Sequence, residues 1–117
     1  MNFKEFWKIL QVTLQQERQF LTLKQNKRFT ARFERSAKGE LIVRITTEDG
    51  KIRGPIPSNE FEGIWDNLKG LSHETRFINK GRRLEAYPTK KGGIGKSMNV
   101  AYIVKLIEHV VQNQNIE

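Results

Sequence analysis

The chain has 117 residues, no cysteine and a formal net charge of +8 at pH 7. The lack of cysteine excludes a disulfide framework, a thiolate metal site and a cysteine nucleophile. No apolar run approaches the roughly 20 residues needed to span a bilayer, and the first residues lack the apolar core of a secretory signal. These features predict a single domain over residues 1–117, located in the cytoplasm and without a membrane partner.

The chain begins with a predicted amphipathic helix over residues 2–19. Its apolar residues recur at spacings of three and four, which places them on one helix face. They are Phe3, Phe6, Trp7, Leu10 and Leu14. The polar face is rich in glutamine rather than lysine or arginine, so we interpret the helix as packing on a core and not on a membrane surface.

Three antiparallel strands are predicted next, because apolar and polar residues alternate with a period of two at residues 29–34 and 41–46. Asp49-Gly50 is typical of a type I′ hairpin turn. The third strand, residues 52–56, is expected to lie at a sheet edge or to end early, because of the prolines in and after it. The pattern indicates a meander.

Two more helices complete the predicted order α-βββ-α-(β)-α, in which the optional strand is residues 84–87. The helix at residues 59–69 has Glu62 and Asp66 opposite its apolar stripe of Phe61, Ile64, Trp65 and Leu68. The last helix is capped by Ser97 or Asn99, with Val100, Ile103, Val104, Ile107 and Val111 facing the core and Tyr102, Lys105 and His109 on an exposed stripe. We therefore expect an α+β domain with a small three- to four-stranded antiparallel sheet and three helices.

The positive charge is concentrated in two stretches. Residues 24–38 carry a net charge of +5 and residues 76–96 carry +6, whereas the rest of the chain sums to −3. Such segregation is typical of a surface that binds nucleic acid or another polyanion. The second stretch is rich in glycine and runs into the last helix, where free N–H groups and the helix dipole favour a phosphate. The predicted phosphate contacts are Arg28, Arg32, Arg76, Lys80, Arg82, Arg83, Lys90, Lys91, Gly95, Lys96 and Ser97.

The segment KGGIGKS, residues 91–97, resembles the deviant Walker A motif of the ParA/MinD family of ATPases. The resemblance implies that Lys96 contacts the β- and γ-phosphates, that Ser97 ligates Mg²⁺ and that Lys91 is the second, signature lysine. In that family the loop follows a buried apolar strand, and a later acid binds the Mg²⁺. Here residues 84–88 are polar and one helix follows Ser97, so we expect a static phosphate contact without ATP hydrolysis.

Candidate catalytic and metal-ligating residues are few. His73 and His109 have no second ligand at metal-binding spacing, and both are expected to be solvated. Glu34 and Glu40 flank the first hairpin near Lys38 and are the best candidates for a small metal-dependent nuclease. Carboxylates at hairpin ends are ordinarily surface residues, however. We therefore expect a protein that is not an enzyme and that carries no metal or other cofactor.

The aromatic residues bear on the kind of nucleic acid. A single-strand binder needs exposed aromatic side chains interleaved with cations. Four aromatic residues lie on predicted apolar faces, namely Trp7, Phe29, Phe33 and Trp65. Because only Phe77, Tyr87 and Tyr102 remain near the basic loop, duplex DNA is the expected partner, favoured over single-stranded DNA and RNA. The alternative is a protein–protein interaction module that binds an acidic partner, and the oligomeric state is left open.

Overall fold

The computed structural model of the chain describes residues 2–22, 26–68 and 99–114. Within these ranges the predicted α+β fold is confirmed, with a helix first, an antiparallel sheet next and helices after it. The elements are α1 (Phe3–Thr13), β1 (Arg18–Leu21), β2 (Arg28–Arg35), β3 (Leu41–Thr47), β4 (Ile52–Pro57), α2 (Ser58–Leu68) and α3 (Val100–Gln114). The predicted strand at residues 84–87 lies outside the described residues.

The sheet has the strand order β1-β2-β3-β4, and each neighbouring pair is antiparallel. The predicted meander is therefore correct, and β4 lies at an edge of the four described strands, which is one of the two outcomes that its prolines indicated. The register between β3 and β4 shifts, because Val43 is opposite Ile56 whereas Ile45 is opposite Arg53. The extra β4 residue forms a bulge around Pro55, which has no N–H to donate to β3.

The first helix is shorter than predicted, and a strand follows it. The helix was expected over residues 2–19, but α1 ends at Thr13 and β1 pairs with β2. The intervening Gln and Glu residues are good helix formers, so the local pattern favoured a longer helix. Strand pairing instead buries Phe20, whose ring centroid lies 5.6 Å from that of Phe29. Tertiary packing of this kind outweighs the small differences in helix propensity.

The β2–β3 and β3–β4 hairpins share one turn geometry. The Gly39 N–H donates to the Ser36 carbonyl at 2.9 Å, and the Gly50 N–H donates to the Thr47 carbonyl at 2.9 Å. Both glycines have positive φ, 81° and 84° respectively, whereas Asp49 does not. The predicted hairpin at Asp49-Gly50 is confirmed, but a type I′ turn is wrong because it requires positive φ at both central residues. Each turn is a three-residue loop closed by a left-handed glycine.

One hydrophobic core lies between the helices and the sheet. It consists of Phe6, Leu10, Leu14, Phe20, Phe29, Ala31, Val43, Ile45, Ile56, Phe61, Ile64, Trp65, Val100, Ile103, Val104, Leu106, Ile107 and Val110. Trp7 and Phe33 are partly buried and pack against this core. Phe29 and Trp65 are therefore confirmed in the core, and Trp7 and Phe33 lie at its margin with part of each side chain exposed.

Helix α2 matches its predicted orientation. Phe61, Ile64 and Trp65 are buried, with at most 4% of their surface exposed. Glu62 and Asp66 are exposed, as the helical spacing required. The acidic side of α2 therefore faces away from the core.

Helix α3 is buried over a wider arc than its predicted stripe. It begins at Val100, and the Asn99 carbonyl accepts the first helical hydrogen bonds, in agreement with the predicted cap. Leu106, Glu108 and Val110 are buried in addition to the predicted residues. The cause is that α3 contacts both α1 and α2 while it also lies over the sheet.

The strand β1 can be tested by a pair of adjacent apolar residues on opposite faces of the sheet. Phe20 is 6% exposed and Leu21 is 46% exposed. We expect Phe20→Ala to lower the free energy of unfolding by about 3–5 kcal/mol. The matched variant Leu21→Ala should change it by less than about 1 kcal/mol. Urea unfolding followed by circular dichroism measures both, and equal losses would contradict the register of β1.

Candidate nucleic-acid interface

The described residues include two of the predicted phosphate contacts, Arg28 and Arg32. The other nine, Arg76, Lys80, Arg82, Arg83, Lys90, Lys91, Gly95, Lys96 and Ser97, lie outside the described residues. Arg28 and Arg32 both belong to β2 and are exposed. Their surroundings differ, so the two arginines are considered separately.

Arg28 lies in an open groove between β1 and α3, which we call the β1–α3 groove. It has a volume of about 520 Å³ and is lined by Arg18, Gln19, Phe20, Leu21, Arg28, Lys105 and His109. The register places Arg28 opposite Leu21, at the end of the β1–β2 pair. Residues that are far apart in the chain therefore bring three cationic side chains and one histidine to a single groove.

The wall that α3 contributes depends on the packing of that helix against the sheet. Lys105 and His109 are four residues apart and so lie on one face of α3. The ring of His109 meets that of Phe20 edge-on, with centroids 5.1 Å apart, and the ring of Tyr102 lies 5.0 Å from that of Phe29. The predicted exposed stripe on α3 is therefore wrong, because this face lies over β1 and β2 and is half-buried.

The charges that line the groove are mostly positive. Arg18 and Arg28 are exposed, and neither forms an ion pair with any described residue. The Lys105 ammonium lies 3.3 Å from a carboxylate oxygen of Glu108, whose side chain is 6% exposed. Among the described residues, one carboxylate next to three cations gives the groove a net positive charge, which attracts an anion.

The charge of the groove also acts on His109. Burial lowers the pKa of His109 first, the positive charges of Arg18 and Lys105 lower it further, and Glu108 opposes them. The expectation that His109 is a solvated surface residue is therefore wrong. Its imidazole is held toward the neutral form by the same cations that would attract a phosphate.

Arg32 lies on the outer face of the sheet, away from the helices. Its guanidinium is 2.5 Å from one carboxylate oxygen of Glu34, and the Arg44 Nε is 2.6 Å from the other. The pairing of Arg32 with Arg44 across β2 and β3 puts the carboxylate between two cations. Arg32 is thus partly neutralised, and Arg28 is the better placed of the two for a phosphate.

The cluster of Arg32, Glu34 and Arg44 also bears on the two glutamates that were predicted as candidate nuclease residues, Glu34 and Glu40. The hydrogen bond from Arg44, followed by the charges of Arg32 and Arg44, holds the pKa of Glu34 below its ordinary value. A carboxylate that two guanidiniums already neutralise is a poor ligand for a divalent cation. Glu40 is exposed and lines a second groove of about 400 Å³ with Arg35 and Trp7. Among the described residues, no group of three or more His, Cys, Asp or Glu could hold a metal ion.

Three residues of the β1–α3 groove were missed by sequence reasoning. Arg18 was placed in a helix, and Lys105 and His109 were placed on a solvent-facing stripe. A prediction of β1 would have indicated all three residues, because a strand at Phe20 packs against the face of α3 that carries Lys105 and His109. The short alternation of that strand was too weak to predict it.

Comparison of the chain with protein-family models, with curated proteins and with solved structures finds no match. In the part of the chain that the structure describes, no helix is long and apolar enough to cross a membrane. The site must therefore be interpreted from its own geometry and charge.

Removing the carboxylate between Arg32 and Arg44 should destabilise the sheet in a manner that depends on pH. Because the pKa of Glu34 is lowered on folding, its contribution is present above the ordinary glutamate pKa and is lost as the pH falls through the lowered value. We expect Glu34→Gln to unfold more easily than the wild type at about pH 7, and by a smaller margin at about pH 3. Urea unfolding at both pH values measures the difference. The control is Glu40→Gln, an exposed acid at the end of the same hairpin, and an equal loss in both variants would contradict the role of the cluster.

Proposed function

We propose that the chain is a non-enzymatic nucleic-acid-binding module that holds duplex DNA through its phosphate backbone. The observation that supports this proposal most strongly is the β1–α3 groove, which is lined by Arg18, Arg28, Lys105 and His109. Arginine and lysine side chains on one open surface neutralise phosphates and release their counterions, which drives binding without base recognition. The cytoplasmic location of the protein belongs to the same proposal.

The preference for a duplex follows from where the aromatic side chains lie. Trp7, Phe33 and Tyr102 pack against the core, and Phe29 and Trp65 are part of it. Stacking of successive bases requires exposed aromatic rings beside cations. Of these five described rings, two are buried and three are only partly exposed. A surface that tracks the phosphate backbone therefore fits duplex DNA better than single strands.

The basic glycine-rich stretch at residues 76–96, which the sequence predicts to be a loop, supplies the second part of the proposed interface. Its cations and its predicted junction with the last helix fit a phosphate held by backbone N–H groups. The groove and the loop would each neutralise a part of the same backbone. Binding should then depend steeply on salt, since each neutralised phosphate adds to the slope.

A mobility-shift experiment tests the class of function. Labelled duplex DNA, single-stranded DNA and RNA are each mixed with the chain, with and without Mg²⁺. A retarded duplex that stays intact in Mg²⁺ supports the proposal, whereas cleavage in Mg²⁺ would favour a nuclease. Salt-sensitive binding to an acidic protein that duplex DNA does not displace would favour the protein–protein alternative.

The contribution of the groove is measured by removing charges from β1 and β2 and, as a control, from β4. We expect Arg28→Gln to flatten the slope of log K against log salt by about 0.9, and the double variant Arg18→Gln, Arg28→Gln by about 1.8. The matched control is Arg53→Gln on β4, which lies across the described sheet from β1 and should leave the slope nearly unchanged. Melting temperatures should stay constant, because all three arginines are exposed.

The salt dependence of duplex affinity also measures the contribution of the loop. Replacing Lys90, Lys91 and Lys96 together by alanine should flatten the slope by about 2.7 if each neutralises one phosphate. If the folded arginine variants keep the wild-type slope while the triple lysine variant has a flattened slope, the phosphates contact the loop and not the groove. Equal effects of Arg28→Gln and Arg53→Gln would mean that only net charge matters.

A further inference from the structure

Among the described residues that line the β1–α3 groove, His109 is the one ionisable side chain whose charge can change near neutral pH. It is half-buried on α3, and its ring rests edge-on against that of Phe20 with a centroid distance of 5.1 Å. The ring is thereby held in the wall of the groove.

Charged groups surround His109 from each element that packs around it. On its own helix these are Lys105 and Glu108, and on β1 the nearby group is Arg18. Arg28 of β2 lines the same groove. Three cations and one carboxylate make this a positive environment, in which a second positive charge on the imidazole is unfavourable.

A phosphate bound in the groove would reverse that environment. Its negative charge lies among the same cations and therefore favours the imidazolium form. The imidazolium in turn offers the phosphate a charge-assisted hydrogen bond that the neutral ring provides less strongly. The occupied groove thus favours protonation of the residue that the empty groove keeps neutral.

We infer that His109 is a phosphate contact of the β1–α3 groove and that it takes up a proton as the phosphodiester backbone binds. This inference rests on the proposed function, since it names a ligand residue and a control of the same site. Arg18 and Arg28 remain charged at every pH near neutrality, so they supply constant attraction. His109 supplies the part of the affinity that responds to pH.

The sign of the pH dependence follows from proton uptake. Binding strengthens as the pH falls, by at most about one unit of log K per pH unit for one proton. The response is confined to the window between the lowered pKa of the free protein and the higher pKa of the complex. Above that window the neutral ring contributes little, and below it the ring is already protonated before binding.

The test measures duplex affinity by fluorescence anisotropy from about pH 5.5 to pH 8 at constant ionic strength. Wild type and His73→Gln, the variant of the other histidine, should both bind more tightly as the pH falls. His109→Gln should have a flat profile with the weaker, high-pH affinity throughout. His109→Lys, which carries a permanent charge, should keep the tight binding at the upper end of the range.

A second measurement does not depend on the folding of any variant. Nuclear magnetic resonance titration of the His109 imidazole in the wild type should give a higher pKa with a short duplex than without it. An unchanged pKa, or a pH profile that persists in folded His109→Gln, would overturn the inference while the proposed function stands. Absence of duplex binding at every pH would overturn both.

Discussion

The arrangement of the site depends on one packing contact, that of Phe20 with its neighbours. Phe20 is buried between Phe29 of β2 and His109 of α3, with ring centroids 5.6 Å and 5.1 Å away. The first contact fixes β1 on the edge of the sheet, and the second fixes α3 against β1. The groove that carries Arg18 and Arg28 exists because this one ring joins the two elements. Burial of a phenylalanine is large enough to set such a geometry.

Electrostatics then separates the described arginines into two groups. On the outer face of the sheet, Arg32 and Arg44 share the carboxylate of Glu34, and the cluster is largely self-neutralised. In the groove, Arg18 and Arg28 have no such carboxylate among the described residues. A formal net charge of +8 therefore does not indicate by itself where a polyanion would bind. The location follows from which cations lack an anionic neighbour, since a paired cation attracts a phosphate less strongly.

Much of the fold was predictable because its signals are local. The alternation in β2 and β3, the prolines of β4 and the helical spacing in α2 each lie within a few residues of sequence. The four residues of β1 contain a single deeply buried side chain, Phe20, so no periodicity marks them as a strand. The groove was missed for a related reason, because it joins residues 18–28 to residues 105–109. Arg28 was predicted because it belongs to a cluster of positive charges that are close together in the sequence.

The central claim is that a polyanion binds where β1 meets α3, and a titration of the isotopically labelled chain with a short duplex tests it most directly. Chemical-shift changes of the backbone amides report which surface the ligand contacts. The account predicts that, among the described residues, the largest changes fall on β1, on the first residues of β2 and on residues 105–109. Changes on β4 and α2 should be small. Shifts centred on β4 or α2, or no shifts at ligand excess, would contradict the claim.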